Sequence, residues 1–419
     1  MDGNPYPYPQ QQPAAGATPG WAPPPSGAPW YPPAQPPAPL PPAAPLPPAA
    51  DPGRARRAGR LRMGVAGLLA GALVGGGAGA GVVALADDGG AGGGTPTAQS
   101  VVIRDAENAT AVTAAAAKAA PSVVTVYVSS GSGSGSGSGV VLSEDGYVLT
   151  NNHVVDLDGA ARGATVQVRT SDGTLYDATV VGTDPTSDLA VLRLDGASGL
   201  TPATFADSDD AQVGDLAVAI GAPLGLSDTV TDGIVSATDR AVATGSTQDD
   251  ATVLDALQTD AAINPGNSGG ALVDAAGEVI GINTAIASVA SGAPGQSTQS
   301  GNIGVGFAIP SNVAQRIAQE IVDTGSATHA VLGVSAQTAG DGEVGTGAEV
   351  AQVQPGGAAA EAGLQAGDVV TAVGDRPVTT STELTAAVRS AAPGDEVTLT
   401  VRRGDATTSV EVTLGSSAG

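Results

Sequence analysis

Short β-branched runs separated by turn residues fill the chain from Ser122 to Ile282. Ser122 to Val128 (Ser-Val-Val-Thr-Val-Tyr-Val) has strand chemistry. So do Val140 to Leu142 and Tyr147 to Thr150, with Glu144-Asp145-Gly146 as the turn between them. Further runs follow at Thr165 to Arg169, Ala178 to Val181, Leu189 to Leu194, Leu216 to Ile220, Val230 to Ser236, Ala271 to Val273 and Val279 to Ile282. Many short strands with turn signals such as Ser171-Asp172-Gly173 predict an all-β barrel or sandwich. The Gly-Ser run from Gly131 to Gly139 reads as a flexible loop; it lacks the Lys and the following helix that a P-loop requires. Helical patterns flank the strands. Ala106 to Ala120 forms a helix that stops before Pro121, and Ser311 caps one over Asn312 to Thr324. In the second, Val313, Ile317 and Ile321 recur at helical spacing and Gly325 ends it. From about Ala330 a smaller α+β unit begins, with strands, Gly-rich turns and a helix over Ser381 to Ser390.

Upstream the pattern is different in kind. Residues 1–53 are Pro, Ala, Gly and Gln with scattered aromatics, too poor in buriable surface to offset ordering entropy, and read as a disordered tail. Arg54, Arg56, Arg57, Arg60 and Arg62 precede an uncharged run from Met63 to Ala86, stopped by Asp87-Asp88. At about 1.5 Å per residue that run crosses a hydrocarbon core of roughly 30 Å. The arginines put the tail in the cytoplasm and the rest of the chain outside, as a single-pass membrane protein anchored by residues 63–86. Residues 87–105 are a polar linker. The expected domains are then 54–86 (basic flank and transmembrane helix), 106–326 (the β unit) and 327–417 (the C-terminal unit).

Composition narrows the chemistry. Among 419 residues there is no Cys, which removes disulfides, thiol nucleophiles, Cys-type zinc sites and iron–sulfur clusters. A net charge of −25 argues against a nucleic-acid partner, since phosphate contacts need clustered Lys and Arg. No cofactor and no metal site is expected.

The stretch with chemistry in it is Asn264-Pro265-Gly266-Asn267-Ser268-Gly269-Gly270. A serine becomes a useful nucleophile only when a base takes its proton and the backbone holds it beside N–H donors. The flanking glycines allow the sharp turn that converges the Gly266 and Ser268 amides on one point, with Asn267 between them in the same oxyanion loop. The chain has two histidines, so the general base is His153 or His329. His153 ends the predicted strand Leu149 to Val155. About 35 residues later, Asp188 in Thr186 to Leu192 offers a carboxylate at a strand edge that can orient the imidazole. Gly266-x-Ser268-x-Gly270 also fits the nucleophile elbow of α/β-hydrolases. Those enzymes run Ser, acid, His on alternating strands and helices, whereas here the order is His, Asp, Ser in an all-β context. That order is the one found in chymotrypsin-type double barrels.

With these residues set side by side, the chain resembles the HtrA/DegP family of serine proteases. The resemblance rests on Thr150 to Val155, Ser187 to Leu192, Ala219 to Gly225, Thr229 to Ser236, Thr259 to Gly270 and Gly304 to Pro310, in register over roughly Val123 to Pro310. Ala222 departs from it, standing where the family commonly has Asn. The resemblance implies a mainly β fold: a chymotrypsin-like double β-barrel protease domain followed by a PDZ domain (α+β), behind the disordered tail and one transmembrane helix. It implies a homotrimer and unfolded polypeptides as substrates. Thr284, Ile286 and the loop Ser288 to Asn302 are implied to border the specificity pocket; no Asp is evident there, so small or medium apolar residues are expected to be preferred. Val331-Leu332-Gly333-Val334 resembles a PDZ carboxylate-binding loop, and Pro355 to Leu364 and Gly367 to Val370 its core turn and strand. Peptide C-termini are the partners this implies, with Leu332, Gly333 and Val334 receiving the carboxylate; Leu384 and Val388 either line an apolar pocket or pack in the core. Two other classes fit the same sequence, a chaperone-like holder of unfolded chains and a membrane-tethered adaptor with an inert protease scaffold.

Overall fold

The valine-rich runs close into two barrels. The computed structural model describes residues 109–131, 133–156, 164–222, 229–244, 252–285, 304–340 and 344–418, which belong to one compact unit spanning Gly94–Gly419. The first barrel comprises β1 (Val123–Ser129), β2 (Ser134–Val141), β3 (Tyr147–Thr150), β4 (Thr165–Arg169), β5 (Leu175–Asp184) and β6 (Leu189–Leu194). It closes in the order β1-β2-β3-β6-β5-β4. The second comprises β7 (Leu216–Gly221), β8 (Thr229–Thr244), β9 (Thr252–Thr259), β10 (Ala271–Val273), β11 (Val279–Thr284) and β12 (Gly306–Pro310). Its order is β10-β11-β12-β9-β8-β7. Every pairing in both is antiparallel. Closing a sheet on itself leaves no free edge, which suits strands this short.

One expectation is overturned here. The Gly-Ser run is not a loop over its whole length: Ser134–Val141 is a strand, paired with β1 from Val123↔Val140 to Ser129↔Ser134. Tertiary packing overrides its weak strand propensity. A Cβ at Gly137 would lie 2.7 Å from Val154 Cγ2, and one at Gly139 would lie 2.6 Å from Val148 Cγ1. The glycines are there because neighbours come that close.

Helix α1 (Ala111–Ala119) is shorter than expected within the described residues; Thr110 caps it, its Oγ1 accepting from Thr113 N–H, and Ala115 and Ala119 are buried. Helix α2 (Asn152–Asp156) follows β3 directly, so the predicted strand over Leu149 to Val155 turns helical at Asn152. Helix α3 (Ser311–Thr324) buries Ala314, Ile317, Ala318 and Ile321, and Gly325, at φ 84°, ends it in the left-handed conformation.

The C-terminal unit has its own core, built on Leu332, Val350, Leu364, Val370, Leu384, Val388, Leu399 and Val401. Strands β13 (Thr328–Val331) and β20 (Gly415–Ala418) pair with each other. The larger sheet runs β14 (Val334–Ala339), β15 (Gly347–Val353), β16 (Val369–Val373), β18 (Glu396–Arg403) and β19 (Ala406–Thr413), with β17 (Arg376–Pro377) pairing β16. It carries α4 (Ala358–Glu361) and α5 (Ser381–Ser390), the latter opened by a capping box between Thr380 and Glu383.

Among the described residues no helix is long and apolar enough to cross a membrane. The expected tail, the span over residues 63–86, the linker 87–105, Ile286 and the loop Ser288 to Asn302 lie outside the described residues.

Candidate active site

Three segments from different parts of the chain meet at the junction of the barrels. The first is the tight turn between β5 and β6, which carries Asp188 at φ 54°, a left-handed conformation uncommon outside glycine. The turn is over-determined. The Asp188 carbonyl accepts from Asn152 N–H at 3.1 Å and from Asn151 Nδ2 at 2.9 Å. Its carboxylate accepts from the His153 amide at 3.0 Å and from the Thr284 hydroxyl at 3.1 Å. These bonds fix both ends of a side chain that is only 6% exposed.

The second segment is α2. His153 Nδ1 lies 2.9 Å from each Asp188 carboxylate oxygen. A carboxylate only accepts hydrogen bonds, so it holds the imidazole proton on Nδ1 and leaves Nε2 basic. The histidine side chain remains 22% exposed, open to the cleft.

The third segment is the loop from Asn264 to Gly270. Within it the amides of Asn267, Gly269 and Gly270 donate to Asn264 O, Asn283 O and Asn267 O at 2.9, 2.9 and 3.0 Å. The amides of Gly266 and Ser268 make no hydrogen bond among the described residues. The two donors named from the sequence are thus the two left over. Asn267 is a correction: its N–H is committed to the turn and its Nδ2 donates to Ala262 O at 3.1 Å, so it braces the loop from behind. Gly266, at φ 101°, takes a backbone geometry that a side chain would oppose.

Ser268 is 3% exposed, and its Oγ accepts from the Ala285 amide at 3.1 Å. No hydrogen bond joins it to His153 among the described residues. The two are nonetheless brought to one place: a point at the Gly137 Cβ position lies 2.7 Å from the side chain of Val154, the neighbour of His153, and 3.2 Å from the Ser268 carbonyl. Thr284 is a second correction. Expected at the specificity pocket, it is fully buried and spends its hydroxyl on Asp188 Oδ2. Consecutive residues Thr284 and Ala285 therefore touch the acid and the serine. The second histidine is elsewhere; His329 is buried against Asp184, with Nε2 2.9 Å from Oδ1. Among the described residues no group of His, Asp and Glu could hold a metal ion.

Comparison with known proteins agrees with this geometry. Residues 137–282 match the trypsin-like peptidase domain family and residues 330–414 the PDZ domain family. The HtrA-type protease AlgW, solved with a tripeptide, superposes at a TM-score of 0.54 with 38% sequence identity, covering 73% of this chain and 97% of that one. The chain belongs to the HtrA family of serine proteases. Serine protease PepD of Mycobacterium tuberculosis is 50% identical over 284 residues, 66% of this chain and 60% of that protein. The periplasmic serine endoprotease DegP of Escherichia coli is 41% identical over 285 residues, 66% of this chain and 56% of that protein. The HtrA chain thus spans less than two thirds of these relatives' length.

Two features of this HtrA chain complete the description. Ala222, the departure from the family pattern, is buried, and it contributes its backbone N–H, donated to Ser138 Oγ at 2.8 Å. That contact needs no particular side chain. In the PDZ unit, Leu332, Gly333, Val334, Leu384 and Val388 are brought together around one groove of about 1130 Å³. The Leu332 and Gly333 carbonyls accept from Ala359 and Gln354 amides, both at 2.8 Å, while the amides of Leu332 and Gly333 make no hydrogen bond among the described residues.

Proposed function

We propose that this chain is a membrane-anchored serine endopeptidase that cleaves unfolded or damaged extracytoplasmic proteins through an acyl-enzyme. His153 Nε2 takes the Ser268 proton as Oγ bonds to the carbonyl carbon, and the same proton passes to the amine as the C–N bond breaks. Water then hydrolyses the ester by the reverse route. Asp188 stabilises the imidazolium, and the Gly266 and Ser268 amides receive the oxyanion, each such donor being worth about 3 kcal/mol of barrier. Catalytic hydrogen bonds tighten in the Michaelis complex, so the nucleophile and base meet when substrate fills the cleft. The observation that carries this reading is the pairing of a doubly bonded His153–Asp188 dyad with an Asn264–Gly270 loop whose unengaged amides are Gly266 and Ser268.

The PDZ groove takes the C-terminus of an extended peptide, with the carboxylate on the Leu332 and Gly333 amides and the terminal side chain against Leu384 and Val388. Small or medium apolar residues occupy the primary specificity pocket. Residues 63–86 hold the enzyme in the membrane with the protease outside, which agrees with the periplasmic name of DegP, and three copies assemble through the protease domain. A fluorophosphonate probe applied to membrane fractions labels the wild type and not Ser268→Ala. Residues 100–419 digest casein, and equal turnover by the Ser268→Ala protein removes the assignment.

A further inference from the structure

Strand β2 carries a serine that the catalytic description does not use. Ser138 is fully buried, and all its polar groups are engaged at or around the oxyanion loop. Its N–H donates to the Ser268 carbonyl at 2.8 Å and its Oγ donates to the Gly266 carbonyl at 2.7 Å. The same Oγ accepts from Ala222 N–H at 2.8 Å, and the Ser138 carbonyl accepts from Thr150 Oγ1 at 2.7 Å. The two residues of the loop that Ser138 grips are thus the two whose amides point nowhere else. It holds each by the carbonyl and leaves the N–H alone.

The need for such a grip follows from Gly266. A glycine at φ 101° has wide backbone freedom, so the orientation of its N–H is not set by its own sterics. The Gly266 carbonyl on Ser138 Oγ and the Asn267 amide on Asn264 O fix the peptide plane between Gly266 and Asn267; the Gly266 N–H lies in the preceding plane and turns about the Cα that this anchor holds. A donor that is already in place when charge develops needs no reorganisation at that moment. We propose that Ser138 is a positioning residue for the oxyanion hole, its hydroxyl holding the Gly266 peptide so that the Gly266 and Ser268 amides face one substrate oxygen. The inference rests on the protease reading above. It also gives the Gly-Ser strand a catalytic reason, since only a small hydroxyl side chain reaches both Ala222 N and Gly266 O from a strand packed this closely.

The test uses the full-length chain and a peptide substrate, with Ser138→Ala set against Ser311→Ala. Ser311, at the start of α3, is an equally buried serine whose Oγ donates to Ala206 O at 2.7 Å. Its loss reproduces the structural cost of deleting such a hydroxyl. Ser138→Ala is expected to melt near Ser311→Ala, to lose about a hundredfold in kcat with KM changed less than about threefold, and to weaken a peptidyl boronate by the same factor as kcat. Ser311→Ala keeps wild-type kcat. Equal kcat for the two variants overturns the inference, as does a kcat loss with boronate affinity unchanged. If Ser138→Ala does not fold, Ser138→Cys, with a weaker donor, is expected to give an intermediate kcat loss, and wild-type kcat in it overturns the inference. A wild type no more active than Ser268→Ala overturns the protease reading and this one together, whereas an active wild type matched by Ser138→Ala sinks this one alone.

Discussion

At the residue scale the proposed acid of the triad matters as much as the proposed nucleophile. Asp188 sits in a left-handed conformation and is held by donors to both its carbonyl and its carboxylate. Thr284 supplies one of them from a strand otherwise belonging to the second barrel, so it links the two barrels through the acid. Removing a hydroxyl that donates to a buried charge costs about 1.5–3 kcal/mol. Thr284→Val keeps the shape and deletes that bond. We expect kcat to fall between about tenfold and a hundredfold with KM unchanged, measured on a chromogenic peptide. A raised KM at constant kcat would return Thr284 to the substrate pocket, where the sequence had placed it. The sequence could not make this distinction, because a Thr next to a specificity loop looks the same whether its hydroxyl faces in or out. His153, Asp188 and Ser268 each stand in a run that can be quoted from the sequence, although the strand expected to end at His153 turns helical at Asn152.

At the scale of elements, strand β2 and the serine loop are built around close approaches. Gly269 has φ 83°, and a Cβ there would collide with the Ser138 carbonyl and Thr150 Oγ1. Gly173 has a similar φ of 88° with open space around it. Gly269→Ala is therefore expected to cost roughly 3 kcal/mol or more in thermal unfolding and to abolish turnover, while Gly173→Ala costs only the conformational part, about 1 kcal/mol. Similar losses for both would show that the collision at Gly269 is relieved by a small shift. These glycines also explain what the sequence hid. Alternating Gly and Ser has no strand propensity of its own, and what makes it a strand is Val148 and Val154 packed against it from the strand and helix that follow it in the chain. Regular elements with local signals, such as β4, β6 and α5, could be read to the residue: α5 has its Thr380–Glu383 box, β4 its alternating β-branched residues and β6 its apolar run. Helix α2 could not, because Asn152 to Asp156 is too short to show a period.

At the scale of the whole unit, arginines of the PDZ fold meet a carboxylate and two backbone carbonyls of the barrels. Arg376 Nη1 lies 2.7 Å from Asp255 Oδ2 and its Nη2 donates to Asp239 O at 2.8 Å; Arg389 donates to Val253 O at 3.2 Å, and His329 meets Asp184. The acids of the molecule titrate in opposite senses. Asp368, inside the PDZ unit, is held below its ordinary value of 3.8 chiefly by hydrogen bonds from Arg403 at 2.6 and 2.8 Å. Its stabilisation is present above 3.8 and is lost as pH falls through the lower folded value, so Asp368→Asn should cost about 2 kcal/mol at neutral pH and flatten acid unfolding of that unit. Asp255 runs the other way: burial, only partly offset by Arg376, raises it above 3.8. Its folded form binds a proton more tightly than the unfolded chain does. The charged group therefore destabilises above its folded value, and stability returns as pH falls through it. Arg376→Met removes the one side-chain cation on Asp255 among the described residues and leaves the carboxylate, 8% exposed, without a charge partner. The expected loss is about 3 kcal/mol at pH 7, shrinking as pH falls and Asp255 protonates, and largely abolished when Asp255→Asn is added. Melting curves of the single and double variants at neutral and at acidic pH decide it. A loss that is the same at both, and that Asp255→Asn does not relieve, would mean that Arg376 acts through packing and that the buried charge is not what the arginine is there to balance.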